Sequence, residues 1–481
     1  MTRPAAVRDT RSVAAWDLET DVAVVGFGAA GACAAIEATA GGADTLVLER
    51  ASGGGGTSAL SGGLVYLGGG TAVQRACGFE DTPDAMYRFL MAACGPGPDE
   101  AKIRLYADES VAHFDWLVAA GVPFRPSYYP EPGLEPPGDD GLVYSGGEDA
   151  HPFARVIPPA PRGHKPRHAG AAGGFLMQCL VAAAERTPAR IDVDTRCETL
   201  IVDDTRRVVG LIARQGGAER LVRARRGVIL CAGGFVQNPA MVLRYCPVIA
   251  RCKYKLGQEG DDGRAIRMAM GAGATVVRME AAEVAIPLTP PRRLMRGILV
   301  NRHGQRFINE DTYFGRIGQE SLFHQDGRMW LLVDDGVYER NMAGMEPAHV
   351  EETVADLERA LAMPPGALEW TVDYYNRHAA RGEDPLHHKG AELLQALDRP
   401  PYAAIDCSVD RALYATFTLG GLHTTVDGEV LDPDGEVVPG LYAAGRTTSG
   451  LAAAGYASGL SLADATYFGR RAGRAAAAGG R

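Results

Sequence analysis

Two hydroxyl side chains, Tyr456 and Ser458, stand two positions apart in the stretch SGLAAAGYASGLSL, which carries no charged side chain. Small and apolar neighbours around one phenol and one hydroxyl make a wall that admits a large apolar body and polarises a single oxygen on it. That is the chemistry of a ketone site. A dicarboxylate site needs Arg and His clusters that grip two carboxylates, and none falls here. Tyr313, in GQRFINEDTYFGRIGQ, is a second phenol, in an aromatic-rich region where packing explains a Tyr as well as chemistry does. Arg296, Arg306 and Arg316 would matter to a carboxylate substrate; otherwise they read as surface or inter-domain pairs. His423 in TLGGLHTT reads as structural, and His387 and His388 have no partner at metal-ligand spacing, so no metal site is expected.

Such hydroxyls need a redox group to work against, and the chain announces one early. DVAVVGFGAAGACAAIEATAGGADTLVLER, starting at Asp21, reads as strand, glycine turn, Ala-rich helix, Gly-Gly stop and second strand. Gly26, Gly28 and Gly31 form GxGxxG between the first strand and the helix. There glycines permit a tight turn, close approach of a pyrophosphate and close helix packing, with the helix start at Ala29 and Ala30 facing the phosphates. Glu49 ends the second strand, where a carboxylate accepts from both hydroxyls of a ribose. These features together predict a dinucleotide. A second glycine-rich loop, ASGGGGTSALSGG, follows Glu49 and Arg50 at once. Its backbone N–H groups at Gly56, Gly62 and Gly63, and the hydroxyls of Thr57, Ser58 and Ser61, suit a second anion or a ring edge, which a nicotinamide enzyme does not need.

With these two loops the chain resembles the fumarate reductase and ketosteroid dehydrogenase superfamily of flavoproteins, over nearly all of residues 20 to 474. Three further segments carry the resemblance: CAGGFVQN, DDGRAIRMAMGAGA and VPGLYAAGR. It implies FAD as cofactor and adds Cys197, Ala232, Gly233, Gly234, Asn238, Asp262, Gly445 and Arg446 to the cofactor set. It also implies a final helix whose Ser461 and Leu462 backbone groups face the flavin. Some members hold FAD covalently through a His in the second loop; TSALSGG has none, which implies a dissociable FAD. NEDTY with GYASG resembles the 3-keto-5α-steroid 4-dehydrogenases, in which Tyr313, Tyr456 and Ser458 would line the active site. The implied reaction takes a proton from the carbon beside the ketone and a hydride from the next carbon. The alternatives are a 3-ketosteroid 1-dehydrogenase, a fumarate-reductase-like flavin ene-reductase and, from another class, a non-catalytic FAD-binding or electron-transfer module.

The expected fold class is α/β: a Rossmann-type FAD-binding domain, residues 17–281 and 420–481, with an inserted α+β cap or catalytic domain, 282–419. Helices are expected over 84–90, 100–120 and 175–185, then a strand meander through ETLIVDD, RVVGLIAR and RLVRARRGVIL. Residues 122–168, crowded with Pro, Gly and aromatics, read as a long surface segment. The first sixteen residues lack an apolar h-region and read as a disordered lead-in rather than a signal peptide, and the Ala-rich tail at 475–480 is expected to fray. A net charge of -10 without basic clusters argues against nucleic acid. No apolar run is long enough for a transmembrane segment. Nine Cys without CxxC spacing read as reduced thiols of a cytoplasmic protein. The expected partners are a small apolar ketone and an electron acceptor, which, like the oligomeric state, the sequence does not identify.

Overall fold

Val22 to Val25 is a continuous apolar run, the signature of a strand covered on both faces, and all four residues are buried. In the computed structural model, which describes residues 7–131, 135–288, 291–341 and 344–479, this run ends the strand Leu18–Val25. The strand lies between two parallel partners, Thr45–Leu48 and the end of Ala218–Leu230. Together they form the centre of a nine-stranded sheet. The long strand Ala218–Leu230 shares its other edge in two parts. Residues 218–223 pair antiparallel with Val208–Gln215, completing the expected meander, and residues 228–230 pair parallel with Val437–Ala443. The C-terminal segment thereby returns to the sheet that the N-terminal segment started.

Helix Ala29–Ala40 is built from small residues and is buried nearly all round, because the sheet covers one side and the closing helix Leu460–Ala478 the other. The two helices touch backbone to side chain. A Cβ at Gly469 would sit 2.5 Å from the Ala30 carbonyl oxygen, and one at Gly473 2.3 Å from that of Ala34. Helices Pro83–Ala93, Glu100–Ala119 and Gly173–Glu185 form where expected.

The middle of the chain builds a separate four-stranded antiparallel sheet, Ile298–Asn301, Met329–Asp334, Tyr402–Asp406 and Pro347–Glu351, carrying helices Val354–Ala360 and Ala367–Ala379. The chain enters this region through Ala282–Ala285 and leaves it through Ala415–Thr418, and those two strands pair with each other. Entry and exit are thus stitched side by side.

Three expectations about ordinary segments fail. Arg8–Asp9, within the supposed disordered lead-in, forms a strand parallel to Ile201–Val202, and Trp16 packs its ring over Gly210; residues 1–6 lie outside the described residues. The Ala-rich tail is helical to Ala478, with Ala476 and Ala477 buried beside Gly41. Small side chains here serve close packing rather than fraying. Residues 122–168 are not all surface: Glu148, Arg162 and His164 are buried, and Arg162 forms an ion pair with Asp81 at 2.6 Å.

Candidate active site

The glycine turn is dictated by backbone proximity. Gly26 has φ +98, and a Cβ on it would lie 2.5 Å from the Cys231 carbonyl oxygen; one on Gly31 would lie 1.9 Å from the Gly26 oxygen. Gly31 therefore does not line the cavity but lets the helix start close to the strand. Gly28 caps that helix, and its Cα would stand 3.6 Å from a Cβ on Gly56, so two bare backbones face each other across the opening. Glu49, buried at the strand end, accepts the Phe27 N–H at 2.7 Å and the Ala51 N–H at 2.8 Å, one on each oxygen. Each carboxylate oxygen keeps a lone pair for a diol.

The second loop is pinned by its hydroxyls. Ser58 Oγ accepts the Ala29 N–H at 3.3 Å, and Ser61 donates to the Ser58 carbonyl at 2.7 Å. Thr57 donates to Asp261 Oδ2 at 2.9 Å and accepts the Gln258 N–H at 3.0 Å. Arg446 closes on the same Asp261 oxygen at 2.5 Å, its guanidinium lying over the Phe417 ring. Arg50 reaches Asp262 at 3.4 Å. Asp261, Gln258 and Phe417 had no part in the sequence-based site.

A cavity of about 540 Å³ is lined by these groups, by Ala29, Ala30, Gly62, Gly63, Cys197, Ala232, Gly233 and Gly445, and by Ser461 and Leu462 at the start of the closing helix. Besides Gly31, two assigned residues do not line it. A Cβ on Gly234 would point at Thr418 Oγ1, 2.5 Å away. Asn238 caps the helix Pro239–Tyr245, accepting the Met241 N–H at 3.1 Å and donating to the Asp262 carbonyl at 2.8 Å. Both act as supports one layer behind the wall.

The same cavity runs on between the paired strands Ala282–Ala285 and Ala415–Thr418 and the turn before the closing helix, past Ala285, Pro287, Phe314, Leu413 and Phe417. Tyr313, Tyr456 and Ser458 all line it. The Tyr456 ring meets the Phe417 ring edge-on at 5.4 Å, and its hydroxyl oxygen accepts the Ser461 N–H at 3.1 Å. Burial pushes the Tyr456 phenol up to about 12 although that N–H favours the anion. Ser458 is fixed through its backbone, donating to the Ser145 carbonyl and accepting the Ser145 hydroxyl, both at 3.0 Å. Tyr313 donates to Glu283 Oε1 at 2.8 Å. Burial holds the Tyr313 phenol well above its usual range and pushes the Glu283 carboxyl up to about 8. At neutral pH the Glu283–Tyr313 pair is therefore largely without charge. Glu283 escaped the sequence reading; its one signal there is an acid inside the apolar run AAEVAIP.

The arginines a dicarboxylate would need are engaged elsewhere. Arg306 is buried between Glu310 at 2.8 Å and Asp384 at 2.9 Å, and Lys389 joins Glu310 at 2.8 Å. Arg316 donates to the His151 carbonyl at 3.1 Å and Arg296 to Gln395 at 3.1 Å. None of the three, nor His423, lines the cavity.

The chain is similar to several known proteins. Residues 21–462 match the model of the FAD binding domain family. The chain is 30% identical to the 3-oxo-5-alpha-steroid 4-dehydrogenase of Comamonas testosteroni, over 89% of this chain and 93% of that one. It is 27% identical to the cytochrome-type fumarate reductase of Shewanella frigidimarina, over 95% of this chain and 77% of that one. Among solved structures, 3-ketosteroid-Δ4-(5α)-dehydrogenase from Rhodococcus jostii RHA1, in complex with 4-androstene-3,17-dione, superposes with a TM-score of 0.94 at 49% identity, covering 98% of this chain and 99% of that one. A glycine cradle at a helix start, a buried ribose-side carboxylate and a second backbone-lined loop are what FAD requires of a protein, and the chain belongs to the FAD-binding-domain family of flavoprotein oxidoreductases, with FAD as its cofactor.

Proposed function

We propose that this chain dehydrogenates a 3-ketosteroid, introducing a double bond between carbons 4 and 5. One observation carries the reading: the glycine cradle opens into a largely apolar end of the same cavity, where Tyr313, Tyr456 and Ser458 converge among Ala285, Pro287, Leu413 and Phe417. The steroid dehydrogenase names borne by the Comamonas and Rhodococcus proteins support it. The Rossmann-type FAD-binding domain then comprises residues 17–281 and 420–481, and residues 282–419 form an inserted α+β cap that supplies Tyr313 and Glu283. The absence of a His in TSALSGG supports non-covalent FAD. Nine unpaired thiols support a cytoplasmic setting.

A C–H beside a ketone is far less acidic than any side-chain base, so the oxygen on which charge develops needs donors already in place. Tyr456 suits that role: its oxygen accepts the Ser461 N–H, which leaves its own proton to point at the ketone and strengthens it as a donor. In this reading Ser458, whose backbone is held by Ser145, receives the proton, with Tyr313 assisting from the cap. Bound FAD supplies the two-electron acceptor for the neighbouring hydrogen. The apolar wall around Phe417, Leu413 and Pro287 excludes water and so strengthens each of these hydrogen bonds.

Anaerobic mixing with a saturated 3-ketosteroid tests the proposal: the yellow flavin absorbance should bleach and a conjugated enone should form. Absence of bleaching, together with rapid reoxidation of the reduced protein by fumarate, would replace it with a fumarate-reductase activity.

A further inference from the structure

Glu283 is a carboxyl group with an unusual position. It sits on the strand Ala282–Ala285, is 1% exposed, and lines the cavity beside Tyr313. One oxygen receives the Tyr313 hydroxyl, while Oε2 is buried with no hydrogen-bond partner. A lone buried acid is costly, and here the fold makes room for it. A Cβ on Gly315 would lie 2.0 Å from Glu283 Oε1 and 2.3 Å from Tyr313 Cε1, so the backbone is bare where the Tyr–Glu contact passes. No Lys or Arg pairs with Glu283 among the described residues; Tyr456 and Glu135 bear on Tyr313, and Arg446, which bears on Tyr456, is committed to Asp261.

We infer that Glu283 is the proton sink of the reaction, a positioning residue that acts through Tyr313 by receiving the proton that leaves the steroid. The inference rests on the dehydrogenase reading above. In the step, the C–H bond beside the ketone breaks and its proton goes to the hydroxyl pair. A hydroxyl proton passes to the Tyr313 oxygen as Tyr313 gives its own to Glu283 Oε1. The hydrogen on the next carbon leaves with its electron pair to FAD. The steroid has then lost a proton and a hydride, FAD is reduced by two electrons, and Glu283 is neutral until its proton returns to solvent. Phenols and alcohols cannot hold this proton near neutral pH, since accepting it without passing it on would leave an oxonium ion; a carboxylate can. Burial pushes Glu283 up to about 8, which places its proton affinity close to working pH, where a base is most effective.

The test is the rate of anaerobic flavin reduction by a saturated 3-ketosteroid between pH 6 and 10, in the FAD-loaded wild type, Glu283→Gln, Glu283→Asp and Tyr313→Phe. The ionised carboxylate is the active form, so the wild-type rate should rise with pH through an inflection near 8. Glu283→Gln should be slower by about 100-fold or more and flat across that range, with steroid affinity changed only a few-fold, and Glu283→Asp should restore part of the rate. Stability supplies an independent readout. A carboxyl whose folded-state value is raised destabilises the fold as pH rises from the ordinary Glu range through about 8, so Glu283→Gln should melt no lower than wild type above pH 8. Infrared difference spectra should show a protonated carboxyl band in wild type below the inflection that Glu283→Gln lacks. A wild-type rate and inflection in Glu283→Gln overturn the inference while leaving the dehydrogenase intact; a wild type that no 3-ketosteroid bleaches overturns the dehydrogenase itself. If Glu283→Gln does not accumulate, Tyr313→Phe decides: loss of the inflection supports the relay and its persistence refutes it.

Discussion

The two ends of the cavity are made differently. The FAD end is largely backbone: helix starts at Gly28 and Gly459, bare turns at Gly26 and Gly56, and side chains such as Ser58 and Thr57 that mostly hold other backbone in place. The steroid end is side chain: Glu283, Tyr313, Phe417, Tyr456 and Ser458, drawn from four separate segments. Backbone recognition demands that certain positions carry nothing, whereas side-chain chemistry demands that certain positions carry one particular group. The first should fail sharply when anything is added, and the second when one atom is removed.

The largest effect should come from adding to the FAD end. Gly31→Val places atoms where even a Cβ lies 1.9 Å from the Gly26 oxygen, and neither backbone can yield without shifting the helix start. The variant should purify colourless, with no flavin in its absorbance spectrum; a yellow protein of wild-type stoichiometry would show that the cradle tolerates side chains. Next in size is removal at the steroid end. Tyr456→Phe and Ser458→Ala should each cut flavin reduction by about 10²- to 10⁴-fold, with FAD content unchanged. Near-normal rates in both would break the division between the two ends. Smallest is a contact that joins them. Arg446→Ala removes the partner of Asp261 and leaves Thr57 alone on that carboxylate. FAD affinity should fall by about tenfold, equivalent to ~1.4 kcal/mol, measured by titrating apoprotein, with little change in the reduction rate of the loaded enzyme.

The same division explains what could be read beforehand. A backbone cradle needs contiguous glycines next to a strand and a helix, so GxGxxG, Glu49 and TSALSGG stand out along one short length of chain. Tyr456 and Ser458 were legible because they interrupt an uncharged small-residue run. Glu283 was not, because what sets it apart is its contact with Tyr313, thirty residues away and received where the helix Phe314–Gln319 carries the bare Gly315. Gly234 and Asn238 mislead in the opposite way: they sit in a motif that touches the cavity, yet one abuts Thr418 and the other caps a helix. Arg8–Asp9 is a two-residue strand, too short for any periodicity, and only its pairing with Ile201 and Val202 gives it a place.

The crossing of Gly469 and Gly473 over Ala30 and Ala34 has a mechanical outcome. One of these helices begins at the Gly26–Gly28 turn and the other behind Tyr456, so glycine-to-carbonyl contact locks the separation of the two starting points like a ruler with no slack. Thickening that contact at Gly469 or Gly473, neither of which lines the cavity, would detune grip on the cofactor from a distance.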